Sequence, residues 1–415
     1  MANLSLSNLV LSHITSSPIY NIPKQGLSSR FLIEKSMISH FSGHFIFSSF
    51  SQNLYIISTQ FSAFLRSAIR IDSIVFLQQA FTGTSFKSNC EEIINITLCS
   101  FSKCNDPENG GAISLEKPSC SVPILRVQYS TFSFCTASKG GAIYAAVDSP
   151  KISFCCFSNC RASFSHHAVV IFSSSHYSTI FQTTLLACPV FSNSPHVLSY
   201  YNTMCTMNSV NSTKHSIEAE GVFLTSSRSA GAYIRLSLIY NNTGISGILL
   251  SNTSYLSLTM VHIINNKLDI PIALEDIDVE PRVMMVKSVM GRNRFPQEIV
   301  MSSKSIRMSL IIDNCMIDKT SLAAISNSAH SIDYQAGELR EMTRLSFYQT
   351  ENCMMTIKAD STTSPFNQRL FVSVTAGVVI SILIFGGITY LVVQNNKKKA
   401  EHEWILANDN KTDVQ

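Results

Sequence analysis

Short apolar or alternating runs recur along most of this chain, separated by serine-rich breaks. Between Phe31 and Ser88 they include His44-Phe-Ile-Phe, Leu54-Tyr-Ile-Ile and Ser73-Ile-Val-Phe-Leu. Such short segments, rich in Phe, Ile and Val and bounded by turn signals, predict short β-strands. Beyond Val170 the apolar runs end on asparagine: Leu238-Ile-Tyr-Asn241-Asn242, Val261-His-Ile-Ile-Asn265-Asn266, Ser288-Val-Met-Gly-Arg-Asn293 and Leu310-Ile-Ile-Asp-Asn314. Two readings fit. Either the asparagines form an internal ladder, each amide bonding along a stack, or they are turn residues that tolerate left-handed backbone.

The pattern has a period. Asn-Gly-Gly-Ala-Ile at Asn109–Ile113 returns thirty residues later as Lys-Gly-Gly-Ala-Ile at Lys139–Ile143. Each copy follows a Phe-Ser-x-Cys, at Phe101–Cys104 and Phe132–Cys135, and a third stands at Phe157–Cys160 with His166-His167-Ala168 in place of the glycine pair. That spacing is too short for a strand-helix-strand unit and predicts one coil of a solenoid per repeat. Gly110-Gly111 and Gly140-Gly141 then supply a corner, by positive φ or by close main-chain approach. Ala112-Ile113 and Ala142-Ile143 restart an extended segment.

The paired Phe-x-x-Cys and Gly-Gly-Ala-Ile motifs resemble the repeat of the polymorphic outer-membrane-protein adhesins of intracellular bacteria, and of the single-pass surface families of protist parasites that share it. The resemblance is clear over Cys99–Val170. It implies an all-β fold, a right-handed parallel β-helix of the pectin-lyase-like kind, and a surface adhesin. Cys104, Cys135 and Cys160 stand where that family usually has asparagine, and a helical anchor replaces the bacterial outer-membrane barrel, which favours the eukaryotic relatives.

That anchor is Leu370–Val393, 24 residues without a charge. At ~1.5 Å per residue it is long enough to cross a ~30 Å hydrocarbon core. Lys397, Lys398 and Lys399 follow it, against Arg369 alone on the other flank, so residues 394–415 are expected in the cytosol and the ectodomain outside, at the plasma membrane. Ser373, Gly377 and Ser381 share one face of the span and permit close helix packing. Residues 358–369 read as a polar stalk, 31–357 as the β-helix, and 1–30 as a poorly defined export signal or cap. In the tail, Glu401-His-Glu-Trp-Ile405-Leu406 faintly resembles an acidic di-leucine sorting signal.

Composition changes the picture only a little. Charged residues make up 14% and the net charge is +4, with no basic stripe, so nucleic acid is not an expected partner. Ten of the 12 cysteines lie between Cys90 and Cys205. Equivalent positions on successive coils lie ~4.8 Å apart, so Cys104, Cys135 and Cys160 either line the core as small apolar groups or form a disulfide with one thiol over. Cys155, Cys156, Cys160, His166 and His167 offer a zinc alternative, although their spacing matches no standard module. Asn3, Asn95, Asn211, Asn241 and Asn252 begin Asn-x-Ser/Thr glycosylation sequences.

Other β-helices process polysaccharides, with clustered carboxylates as acid, base or calcium ligands. No Asp or Glu occurs from Ser149 to Ile217. Asp106 and Glu108 read as solvated turns, and Glu275, Asp276, Asp278 and Glu280 are the first place to look for a site. No nucleophile elbow, phosphate loop or metalloprotease helix is present. The expectation is therefore a protein without catalysis or cofactor. It is a surface-anchored solenoid whose lateral face binds host cell, matrix or carbohydrate. Its rivals are an antigenic coat without a ligand and a polysaccharide-processing enzyme. An exposed aromatic or histidine cluster on one lateral face would separate adhesin from coat.

Overall fold

The computed structural model describes residues 3–20, 30–48, 53–72, 93–116, 123–165, 168–173, 177–188, 197–201, 204–216, 224–227, 231–251, 253, 255–275, 281–294, 300–302, 309–317 and 331–336. They form a parallel β-solenoid. The expected stalk, membrane span, flanking lysines and tail lie outside the described residues, as do Asn252, His166, His167, Asp276, Asp278 and Glu280. Among the described residues no helix is long and apolar enough to cross a membrane.

Each rung has three faces. On the first, Asn3–Ser7, Arg30–Glu34, Asn53–Ile57, Ile93–Thr97 and Ile124–Gln128 pair in succession, all parallel. The series continues through Ile143–Ser153, Tyr177–Leu186, Met204–Thr213, Ala232–Arg235, Tyr255–Thr259, Arg282–Val286 and Ser309–Ile317. A short second face follows, for example Ser100–Cys104 under Thr131–Ser133. A third face holds Ile69–Ile71, Ile113–Leu115 and the start of Ile143–Ser153. Residues 3–20 already make a rung, so the solenoid starts before the expected boundary at residue 31.

A left-handed residue bends the chain at each end of the second face. At the first corner these include Leu98, Tyr129 and Phe154, and at the second Lys103, Phe134, Asn159, Asn241 and Asn265, all with φ between 50° and 57°. Such a conformation costs a non-glycine residue roughly 1–2 kcal/mol. Corner amides bond to the next rung, as Tyr129 N does to Ser153 O at 3.0 Å and Phe134 N to Ser158 O at 3.0 Å.

Inside the stack, matching positions build columns. Phe61, Phe101, Phe132 and Phe157 are fully buried and stacked, with centroids 4.7–4.9 Å apart and planes within 7°. The repeat's phenylalanines thus occupy one register, as their sequence spacing implies. Immediately after the second corner, Phe64, Cys104, Cys135, Cys160 and Cys188 succeed one another, all 0% exposed. The four cysteines are free thiols, and Cys135, Cys160 and Cys188 each reach a carbonyl of the preceding rung at 3.5–3.9 Å. Cys188 belongs to this column although its motif has decayed.

The same column continues as His215, Asn242, Asn266 and Asn293. Cys188 N bonds to His215 Nδ1 at 3.1 Å, His215 N to Asn242 Oδ1 at 2.9 Å, Asn242 N to Asn266 Oδ1 at 2.9 Å and Asn266 N to Asn293 Oδ1 at 2.9 Å. Both readings of the asparagines therefore hold, for different residues. Asn242, Asn266 and Asn293 are the buried ladder, whereas Asn241 and Asn265 are the left-handed turn residues before it. Asn314 lies at the first corner with φ 51° and is not a rung of the ladder.

The glycine pair divides its labour. Gly110 and Gly140 take φ of 62° and 59°. Gly111 is a close approach: a Cβ there would strike Gly141 O and lie 2.6 Å from Thr136 O and 2.8 Å from Cys104 O. Ala112, Ala142 and Ala168 then stack, Ala112 N bonding to Ala142 O at 3.0 Å and Ala142 N to Ala168 O at 2.9 Å. The third repeat keeps the alanine slot after losing its glycines.

Candidate functional site

Two places on the solenoid gather chemistry. The first surrounds the glycine motif. Asp106, expected in a solvated turn, is instead 3% exposed. Its carboxylate accepts from Ser67 N at 2.7 Å, Ser67 Oγ at 2.5 Å and Glu108 N at 2.9 Å, tying two rungs together. The local signal that could have announced it is the Asp-x-Glu spacing, since an aspartate that accepts from the amide two residues on caps its own turn.

Arg70 closes the cluster. Its guanidinium meets Asp72 at 2.7 Å and Glu108 at 2.5 Å, with Asp106 and Glu116 at 3.9 Å. Burial pulls the Arg70 pKa down, but the hydrogen bonds it donates to Asp72 and Glu108 outweigh that and hold the value above the usual one. Burial raises the Asp72 carboxyl despite Arg70. Arg66, 40% exposed at its side chain, faces Asp106 at 3.8 Å and Glu108 at 4.0 Å.

Serine, histidine and aspartate meet here without forming a nucleophile. His44 Nδ1 lies 2.9 Å from the Ser67 main-chain oxygen, not its hydroxyl. Burial lowers the His44 pKa. The Ser67 hydroxyl is directed at Asp106 and at Gly110 O, 2.7 Å away, so a carboxylate and a carbonyl hold it and the His44 ring does not bond to it. This cluster pins the corner where Gly110 and Gly111 turn. Beside it lies an open groove of about 560 Å³, bordered by Asp106, Thr136, Ser138 and Arg161.

The second place is the outward side of the first face and its corner. Tyr129, 51% exposed, stacks on Phe154 of the next rung at 4.5 Å and 7°, and Phe154 meets Phe181 edge-on at 5.3 Å. Leu98, 57% exposed, precedes Tyr129 at the same corner. Aromatic side chains also mark other heights of this face. Arg30 lies over the Tyr55 ring at 4.0 Å, and Tyr233 meets Tyr255 at 5.4 Å. At the second corner His13 and His40 stack at 4.8 Å. Nothing in the periodicity foretold the aromatic ladder, because the corner positions read as breaks between strands.

The remaining candidates are dispersed. Cys155 lines the first corner and Cys160 the second, so they do not converge on one ion, and Cys156 is disulfide-bonded. Among the described residues no group of three or more His, Cys, Asp or Glu could hold a metal. Glu275 ends the strand Lys267–Glu275, in register with Ser251. Of the glycosylation candidates, Asn241 is an exposed corner and Asn95 is half-buried on the first face. Asn211 is 4% exposed, so a glycan there is incompatible with this packing.

No protein-family model matches this chain. No curated protein matches it. Among solved structures, a mannuronic-acid-specific polysaccharide family 6 lyase from human gut microbiota aligns at 12% identity, over 87% of this chain and 94% of that one, with a TM-score of 0.30. At that score the likeness transfers nothing about activity. The chain's parallel solenoid rests on its own strand pairing.

Proposed function

We propose that this chain is a right-handed, pectin-lyase-like β-helix displayed at the cell surface as an adhesin, held by Leu370–Val393 with Lys397–Lys399 on the cytosolic side. The observation that carries the reading is the outward aromatic ladder on one lateral face, in which exposed Tyr129 stacks on half-buried Phe154 and Phe154 meets half-buried Phe181. A coat protein without a ligand needs no ordered column of rings on its outer side, and aromatic groups gathered on one face mark binding surfaces. A rigid stack also presents them at a fixed spacing of ~4.8 Å, so a long ligand meets several weak contacts at once.

The test is expression of the full chain with a C-terminal tag. Intact cells are stained for ectodomain and tag, then permeabilised, and adhesion to host-type cells is scored for wild type and for Tyr129→Ser/Phe154→Ser. Ectodomain staining on intact cells, tag staining only after permeabilisation and a loss of adhesion in the variant are expected. Adhesion unchanged by the variant sinks the ligand-binding role, and absence of surface staining sinks the display.

A further inference from the structure

The aromatic ladder has basic company. Arg126 lies on the outward side of the first face, three residues before Tyr129, and Lys151 lies three residues before Phe154. The two cations are register partners on adjacent rungs, and both are exposed. Like charges directly opposed across a strand pair destabilise the pairing. Among the described residues neither Arg126 nor Lys151 has an ion-pair partner within 4.0 Å to offset this one.

The surroundings stay poor in acid. Asp148, in register with Ile124 at the entrance of the strand, is the nearby carboxylate among the described residues. From Ser149 to Ile217 the sequence supplies none, so the rungs above Lys151 add no negative charge. Between cations and rings runs an outward column of Gln128, Ser153 and Phe181. Ser153 is 1% exposed, and its hydroxyl has no hydrogen-bond partner.

We infer that Arg126, Lys151, Tyr129 and Phe154 form a binding platform for an anionic polysaccharide, one carrying uronic carboxylates or sulfate esters. The inference rests on the adhesin reading and names its ligand class. Stacked cations on adjacent rungs suit negative groups that recur along a polymer, and their guanidinium and ammonium groups donate to carboxylate or sulfate oxygens. The adjoining ring faces suit the apolar C–H face of a pyranose. A pyranose unit is about as long as one ~4.8 Å rung, so consecutive sugars can engage consecutive rungs. A nucleic acid would also meet the charges, but it would have to unstack its bases to use the rings.

The experiment uses the full chain, purified in mild detergent and captured by a C-terminal tag. Polygalacturonate, a heparin-type sulfated polymer, neutral dextran and single-stranded DNA are tested for binding at physiological salt. Wild type is expected to bind one or both anionic polysaccharides and not dextran, with affinity falling as salt rises. Preference between carboxylate and sulfate identifies the source of the charge. Arg126→Gln/Lys151→Gln should weaken that binding at least tenfold and flatten its salt dependence. Tyr129→Ser/Phe154→Ser should weaken it comparably, and the control Lys214→Gln/Lys287→Gln, which removes two exposed corner lysines elsewhere, should not. The charge variant should unfold at the wild-type denaturant concentration or above it.

Three results would overturn the proposal: no binding of either anionic polymer, charge variants that bind like wild type, or DNA competing as strongly as the polysaccharides. If the charge variants keep wild-type cell adhesion while the aromatic variants lose it, the anionic ligand falls and the adhesin reading survives. If the aromatic variants keep adhesion as well, both fall.

Discussion

Asn265 and Asn266 are adjacent, chemically identical and placed in opposite roles, which makes the pair a sharp test of the ladder. Asn265 is exposed, with φ 57°, and its amide makes one long surface contact, 3.4 Å to Asn241 Oδ1. Glycine adopts that φ freely, so Asn265→Gly should change stability by no more than about 1 kcal/mol, the backbone entropy of glycine in the unfolded chain. Asn266 is 2% exposed. It accepts from Asn242 N at 2.9 Å and donates to Ile239 O at 3.0 Å and to Asn293 Oδ1 at 3.1 Å. Asn266→Gly removes all three bonds, net roughly 1 kcal/mol each, and strands a buried N–H at roughly 1–3 kcal/mol more. With the same glycine entropy in both variants, the difference between them should be roughly 4–6 kcal/mol. Urea unfolding of the full chain in mild detergent measures the total, and hydrogen exchange over 239–268 measures local opening, because solenoid rungs unfold partly independently. Comparable losses in the two variants would refute the ladder as a source of stability.

Gly111→Ala should abolish folding or cost more than about 3 kcal/mol by thermal melt, since its Cβ would strike main chain of the next rung, whereas Gly43→Ala, whose nearest new contact is 3.4 Å, should be nearly neutral. Burial pushes the Cys99 and Cys155 thiols up to about 12, so alkylation of the native protein at pH 8 should leave both unmodified until denaturant is added; rapid native labelling at either would contradict their placement. Burial holds His44 and His262 below 6.5 in the folded chain, so the unfolded chain binds more protons, and stability should fall as pH drops through and below 6.5. Asp72, raised above 3.8, contributes in the opposite sense at more acid pH. Denaturant midpoints measured from pH 8 down to ~5 should decline in wild type and flatten in His44→Gln/His262→Gln; an unchanged slope in the variant would assign the decline to other groups.

Phe132→Ala opens a gap in a column whose rings are 4.7–4.9 Å apart, and should cost roughly 3–5 kcal/mol in the same unfolding assay. A loss below about 1 kcal/mol would mean the column collapses around the gap rather than holding its register.

The sequence by itself determined the coil. Phe101, Phe132 and Phe157 recur at coil intervals because identical rungs put identical side chains in one interior column, and Gly110-Gly111 recurs because one glycine must take positive φ and the next must let main chain approach. Both are local demands repeated by translation, which is why periodicity exposes them. Tertiary structure alone decided what depends on meetings between rungs. Asp106 looked like a turn residue until Ser67, 39 positions earlier, and Arg70 closed around it. Four cysteines, a histidine and three asparagines share one column after Phe64, although none of these residue types predicts the next, because what they have in common is a side-chain atom that can serve a main-chain partner one rung away. The same holds for the outward face. Arg126 with Lys151 and Tyr129 with Phe154 are 25 residues apart in sequence and become neighbours only through register; alternation says which way a strand residue points, and not which residues will stand above it.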